Sequence, residues 1–238
     1  MNTTRCICIF LAFVLSCGAS GQREVEYAAV GVGRAARVVE ARGGWQVTLE
    51  EARVALGPVY FCATQAASAD LCPSARAELL ATWPWDALDP RSQHLGTVHG
   101  VTGSIGSAQY DFGIVWLETD TQPRALQGAV DGHSAVFRGR ATRGDRTLRF
   151  VANIDAIPRA QGTHVVQGAR TSADVLDSHT RLEVTVDPNL WWSGVDFDEF
   201  VDAPADDVVV VPADSRAANA VLVAMTANAT PQFRWVAP

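Results

Sequence analysis

The most constraining stretch of this chain is residues 132–155, where two runs of alternating apolar and polar side chains flank a short turn. Phe137 belongs to the apolar positions of the first run and Phe150 to those of the second. Alternation with a period of two is typical of half-buried strands. Gly144, between the runs, accepts the positive φ of a tight turn. The stretch therefore predicts an antiparallel β-hairpin with Phe137 opposite Phe150 on its inner face.

The outer face of this predicted hairpin is rich in arginine. Pairing Thr142 with Asp145 places Arg138 opposite Arg149, and like charges that face each other across strands repel. We therefore expect acids on adjacent strands to neutralise them, with Glu183 and Asp187 among those acids. The hairpin is a prediction about sheet packing, and its functional hint is His133 at the open end.

The rest of the chain predicts an all-β fold, mainly an antiparallel β-sandwich. Further alternating runs bring the total to about ten strands, a number typical of one sandwich domain, which we place at residues 24–238. Two short helices are expected, one near 74–82 after Pro73 and one near 214–228 with Asp214 or Ser215 as its N-cap. Apolar residues make up 48% of the chain, enough for a substantial core.

Local signals refine the strand assignment. The apolar positions change from odd to even numbers at Glu50-Glu51, which indicates a β-bulge within a long strand that begins near Trp45. Gly57-Pro58 predicts a bend or an end to that strand. Residues 93–105 and 107–118 look like another strand pair.

The N-terminus has the features of an export signal. Arg5 precedes a short apolar segment, too short to span a membrane, and residues 1–16 are the predicted signal peptide. The sequence Val14-Leu15-Ser16-Cys17 resembles the lipobox of bacterial lipoproteins. This resemblance implies that Cys17 carries the lipid, including palmitate, that residues 17–23 form a tether, and that the protein is anchored in the cell outer membrane. A secretory signal cleaved near Ala19, giving a secreted or periplasmic protein, remains the alternative.

The remaining cysteines fit an oxidising compartment. Cys62 and Cys72 are the two cysteines of the predicted domain, which is the number needed for one disulfide. A cysteine-based metal site is the alternative, although two cysteines without a nearby histidine make a poor one. The net charge of −7, without a basic cluster, argues against nucleic acid as a partner.

The five histidines offer candidate metal ligands, because a β-sandwich brings distant strands together. We single out His99, His133 and His164 as possible ligands of copper or zinc. His94 and His99 are five residues apart and would point to opposite faces of one continuous strand. The alternative is that these histidines are surface or hydrogen-bonded structural residues, and that the protein has no cofactor.

Four tryptophans fall in predicted loops beside acidic residues, namely Trp83, Trp85, Trp191 and Trp192. An exposed tryptophan next to carboxylates can stack on a sugar ring, which makes these four candidate ligand-binding residues. They could equally fold inward and close the ends of the sandwich. Common catalytic motifs such as G-x-S-x-G and H-E-x-x-H do not occur, so the sequence predicts a protein that is not an enzyme.

The body of the chain also has a resemblance of its own. Its W-x-V-x-L strand from Trp45, its His133-Ser134 strand start and its central hairpin are similar to uncharacterised lipoproteins of high-GC Gram-negative bacteria. They are also similar, distantly, to β-sandwich metal-binding proteins of the envelope. The resemblance implies an envelope-anchored, non-enzymatic binding or interaction domain. Its expected partners are the membrane, an envelope protein and a small-molecule ligand. The alternatives are a periplasmic copper or zinc protein, or a carbohydrate-binding or hydrolytic protein.

Overall fold

The computed structural model describes residues 21–64, 72, 75–204 and 207–238. The predicted signal peptide, Cys17 and the first part of the tether lie outside the described residues. Within the described part of the chain, no helix is both long and apolar enough to cross a membrane.

The described residues form sixteen strands, several of them very short. In chain order they are β1 (Glu24–Val32), β2 (Val39–Glu40), β3 (Gln46–Leu56), β4 (Val59–Cys62), β5 (Ala75–Leu79), β6 (Trp83–Asp86), β7 (Gln93–Val101), β8 (Gly103–Tyr110), β9 (Ile114–Val115), β10 (Arg124–Ala125), β11 (Ala135–Arg143), β12 (Arg146–Ile154), β13 (Val166–Val175), β14 (Arg181–Thr185), β15 (Val208–Val211) and β16 (Gln232–Val236).

These strands build two main sheets. The larger sheet has eight strands in the order β13-β8-β4-β5-β7-β1-β14-β16. The smaller has six, in the order β15-β12-β11-β3-β2, with β6 also paired to β3. One hydrophobic core contains side chains from both sheets. The prediction of an all-β, sandwich-like fold is confirmed, and most neighbouring strands are antiparallel.

The chain passes from the smaller to the larger sheet at Gly57-Pro58, where the sequence predicted a bend. Gly57 has a φ of 119°, and a Cβ atom there would lie 2.3 Å from the carbonyl oxygen of Ala81. Only glycine fits both constraints. The predicted bulge is also present, because Arg138 pairs with Glu51 whereas Gly139 pairs with Leu49.

The central hairpin is formed by β11 and β12, but its register differs from the predicted one. Arg143 pairs with Arg146, so the turn lies one residue later and every partner moves by two. Phe137 therefore faces Ala152 rather than Phe150. A shift of two residues preserves the faces of both strands, and both phenylalanines remain in the core.

The acids that neutralise the outer arginines of the hairpin are not those we expected. A carboxylate oxygen of Glu51 lies 2.9 Å from Nε of Arg138, and Glu50 lies 3.9 Å from Arg140. Both acids belong to β3, the strand next to β11. Glu183 instead pairs with Arg234 at 2.6 Å, so that part of the prediction is wrong. Glu183 lies on β14 of the other sheet.

Of the two predicted helices, one is present. Helix α2 (Arg216–Val223) follows α1 (Pro188–Trp191) in the chain and continues as a π-helical turn to Asn228. The Ser215 hydroxyl accepts a hydrogen bond from the Ala218 N–H and caps α2. The helix predicted near 74–82 is wrong, because β5 (Ala75–Leu79) occupies most of that range. Alternating burial of Ala77 and Leu79 against the core overrides helix propensity there.

Candidate ligand-binding pocket

A half-enclosed pocket of about 380 Å³ lies over the outer face of the larger sheet, where Tyr60 pairs with Glu78 and Gln109. Strands β4, β5 and β8 form one wall, and the segments that follow β9 and precede β13 form the other. Much of the lining is apolar or aromatic, from Pro58, Tyr60, Val115, Trp116 and Leu117. The ionisable groups in it are Glu78, Asp111, Glu118, His164 and the Tyr60 hydroxyl. Apolar walls with a few convergent polar groups are typical of small-molecule sites.

The most deeply buried ionisable groups of the pocket form a pair, Asp111 and His164. Oδ2 of Asp111 lies 2.7 Å from Nδ1 of His164, and Oδ1 accepts the Val165 N–H at 2.8 Å. The Asp111 side chain is only 1% exposed. Its burial raises the pKa of the carboxyl, while the hydrogen bond and charge of His164 oppose that rise. Both carboxyl oxygens are therefore occupied, and Asp111 fixes the orientation of the imidazole.

Nε2, the second ring nitrogen of His164, takes no part in the contact with Asp111. Nε2 is buried and has no hydrogen-bond partner among the described residues. When Nδ1 donates to Asp111, Nε2 of the neutral ring is an acceptor. An unpaired buried polar atom costs about 1–3 kcal/mol. A ligand that donates a hydrogen bond to Nε2 would remove this cost.

Tyr60 supplies an aromatic wall and a hydroxyl. Its ring centroid lies 5.1 Å from that of His164, with the two planes tilted by 41°. Burial, together with the charges of Glu78 and Asp111, raises the pKa of the Tyr60 hydroxyl above its ordinary value of 10.0. The hydroxyl thus stays protonated at neutral pH and can donate or accept a hydrogen bond.

The predicted disulfide is present and lies beside the pocket. Cys62 and Cys72 are bonded, with their Cα atoms 5.6 Å apart. The backbone N–H of Cys72 donates to Oε1 of Gln109 at 3.1 Å, and both residues line the pocket. The disulfide therefore attaches Cys72 to β4 and completes the wall on that side.

The structure does not bring His99, His133 and His164 together. His99 lies on β7, 3.7 Å from Glu26. His133 lies before β11 and contacts Asp155 at 2.8 Å through Nδ1. Over the described ranges, no three His, Cys, Asp or Glu side chains are arranged to hold a metal ion. Of the three predicted metal ligands, only His164 lines the pocket.

The expectation that His94 and His99 point to opposite faces is wrong. Both are exposed, and they pair with Val30 and Glu26 of β1, two residues of the same parity. A register shift between those two pairs gives β7 one extra residue, so the side chains on either side of it no longer alternate in phase.

The four candidate tryptophans do not form one site. Trp83 and Trp85 lie in β6 rather than in a loop, and Trp191 ends α1 immediately before Trp192. Trp85, Trp191 and Trp192 are buried in the core, where a ligand at the surface does not reach them. Trp83 is 44% exposed and packs edge-on against His94.

Sequence reasoning missed most residues of the pocket, Asp111 and Trp116 among them. Asp111 follows β8 and stands between two buried aromatic residues, Tyr110 and Phe112, and an acid is fully buried almost only where it is paired. Trp116 falls within the predicted strand at 107–118, but in the structure it follows β9, is half-buried, and lines the pocket while its Nε1 donates to the Asp120 carbonyl at 3.2 Å. No sequence signal distinguishes that position from a core one.

Comparison with known proteins gives one similarity in structure. No protein-family model matches the chain, and no curated protein matches it. Among solved structures, MbnP from Methylosinus trichosporium aligns with a TM-score of 0.41 and 11% sequence identity, over 85% of this chain and 88% of MbnP. An alignment at this level assigns no role to any residue of this chain.

Proposed function

We propose that this protein is an envelope-anchored lipoprotein whose β-sandwich domain binds a small organic molecule in the pocket at Asp111 and His164. The observation that carries the proposal is the buried His164 ring, oriented by Asp111, whose Nε2 has no hydrogen-bond partner among the described residues, in a pocket with apolar walls. Anchoring through Cys17 rests on the lipobox-like sequence.

Binding without catalysis fits the groups around the imidazole. The hydroxyl of Thr163 donates to the Ala160 carbonyl at 2.7 Å, so its proton is not shared with His164. Cys72 is held in the disulfide and is not a nucleophile. The Tyr60 hydroxyl keeps its proton, because its pKa is raised by burial and by Glu78 and Asp111. The described lining residues thus provide recognition groups rather than an activated nucleophile.

A fragment screen by NMR tests this function. We expect small aromatic fragments to shift the resonances of Tyr60, Trp116 and His164. His164→Phe keeps a ring in place but removes Nε2, and should weaken those fragments about tenfold, equivalent to about 1.4 kcal/mol. His94→Phe, a change at an exposed histidine on the same sheet, should leave affinity unchanged.

Two results would refute the proposal. One is a set of fragments that bind elsewhere and leave the three pocket residues unshifted. The other is an affinity that His164→Phe does not alter, provided the variant unfolds at a temperature close to that of the wild type. Tyr60→Phe removes only a hydroxyl and serves as a second pocket variant if His164→Phe is poorly folded.

A further inference from the structure

The charged side chains that line the pocket give it a net negative charge. Glu78, on β5, and Glu118, after β9, both line it. Neither carboxylate forms an ion pair with any side chain in the described part of the chain, whereas Glu51 and Glu183 each pair with arginines. The His164 imidazole balances Asp111 at most, so the two glutamates leave the pocket with a net negative charge.

The nearest cation on the same strand does not enter the pocket. Arg76 precedes Glu78 by two residues and shares its face of β5. Its guanidinium, however, lies over Gly103, where a Cβ atom would be 3.4 Å from Nε. Arg76 lines a neighbouring depression, which Glu78 also borders, but Arg76 is not among the residues of this pocket and forms no ion pair with Glu78.

The walls of the pocket, like its negative charge, suit a cationic ligand. Tyr60 and Trp116 present aromatic rings, and Pro58, Val115 and Leu117 add apolar surface. The face of an aromatic ring carries partial negative charge and attracts ammonium groups. In addition, Nε2 of His164, with Nδ1 donating to Asp111, accepts a hydrogen bond. An ammonium group offers only donors, and a carboxylate offers only acceptors.

We propose that the ligand of this pocket is a small organic cation, a primary ammonium group on an apolar or aromatic body. This inference rests on the proposed function, since it names the ligand class of the same pocket. The ammonium lies between Glu78 and Glu118 and donates to His164, while its apolar body packs on Tyr60 and Trp116. A carboxylate ligand would meet two glutamates that have no ion-pair partner in the described part of the chain, and is rejected.

Three probes of nearly equal shape test the charge. Phenethylamine, phenethyl alcohol and phenylacetate are titrated into the full mature chain, and the indole N–H resonance of Trp116 reports binding. We expect the amine to bind about tenfold more tightly than the alcohol, and the acid to bind more weakly than either. Raised ionic strength should weaken the amine selectively.

Matched variants separate charge from shape. Glu78→Gln and Glu118→Gln should each weaken the amine severalfold and leave the alcohol unchanged. Glu40→Gln, an exposed glutamate of the smaller sheet, is the control and should change neither. If the alcohol binds as tightly as the amine, or if the glutamine variants do not affect the amine, the cation inference is overturned while the small-molecule pocket stands. If neither these probes nor any fragment shifts Tyr60, Trp116 or His164, both proposals are overturned.

Discussion

Oδ2 of Asp111 lies 2.7 Å from Nδ1 of His164, in a position where the carboxyl is almost completely shielded from solvent. This contact joins the end of β8 to the segment that precedes β13. Because the second oxygen of Asp111 accepts the Val165 N–H, one side chain supports both the backbone of that segment and the orientation of the imidazole. The contact is thus structural, and it also orients the ring that we propose binds the ligand.

Removal of the Asp111 carboxyl should destabilise the domain. Asp111→Ala leaves the imidazole and the Val165 N–H without their acceptor, and should lower the free energy of unfolding by about 2–4 kcal/mol. Urea denaturation measures the change. Asp202→Ala, at an exposed position, is the control and should leave the midpoint unchanged. Equal effects of the two substitutions would contradict the assigned role of Asp111.

The raised pKa of Asp111 predicts a pH dependence with a definite sign. A carboxyl that holds its proton more tightly in the folded state contributes stability at low pH. That contribution is fully present below the ordinary pKa of 3.8 and is lost as the pH rises through the raised value. The wild type should therefore lose stability relative to Asp111→Asn as the pH increases from about 4, so that the unfolding free energy of the wild type minus that of the variant falls. A difference that increases over this range would contradict the burial effect.

The outer face of the hairpin depends on Glu51. Its carboxylate pairs with Arg53 at 2.7 Å and with Arg138 at 2.9 Å. Glu51→Gln should lower the unfolding free energy by about 0.5–1 kcal/mol at low salt, and less at high salt, because these groups are partly exposed. Glu50→Gln is the matched control, since Glu50 makes one looser contact of 3.9 Å with Arg140. Chemical denaturation at two ionic strengths should show the larger, salt-sensitive loss only for Glu51→Gln.

The buried tryptophans should be the strongest packing positions. Trp192 is fully buried, with its ring 4.5 Å from that of Phe150 and 5.5 Å from that of Phe137. Trp192→Ala should cost about 3–5 kcal/mol of stability. Trp83→Ala removes a ring of equal size from a half-exposed site and should cost less than about 1 kcal/mol. Similar losses in thermal unfolding experiments would show that Trp192 does not belong to the core.

Anchoring of the chain remains a prediction from its N-terminal sequence. Cys17→Ser removes the acceptor of the lipid, so the protein should move from the membrane fraction to the soluble fraction of the envelope. Fractionation of the cell envelope, with detection of the protein in each fraction, measures this movement. Unchanged membrane association, or absence of lipid from the wild-type N-terminus by mass spectrometry, would favour the alternative of cleavage near Ala19.

Much of the fold could be predicted from sequence, because in many strands the alternation of apolar and polar residues agrees with the burial seen in the structure. Alternation in β11 and β12 reports which side chains face the core, and this information survives a wrong register. The register itself depends on which two residues occupy the turn. Gly144 fits either choice, so the sequence did not decide between them. The Ser215 cap and the apolar stripe of α2 are equally local, and that helix was predicted correctly.

Other elements depend on contacts between distant parts of the chain. Residues Ala75–Leu79 have good helix propensity, but they pair with β4 and β7 and become a central strand of the larger sheet. The pocket likewise depends on residues that are far apart in the sequence. Asp111 and His164 are 53 residues apart, and only sheet pairing places one against the other. His164 was a candidate by residue type alone, and its partner could not be named without the topology.

The most direct test of the pocket follows the imidazole nitrogens of His164 by ¹⁵N NMR while phenethylamine is added. The account predicts that Nε2 of His164 shifts progressively and to saturation, whereas the ring nitrogens of His99 and His133 do not change. Saturable binding of the amine without any shift at His164 would contradict the central claim.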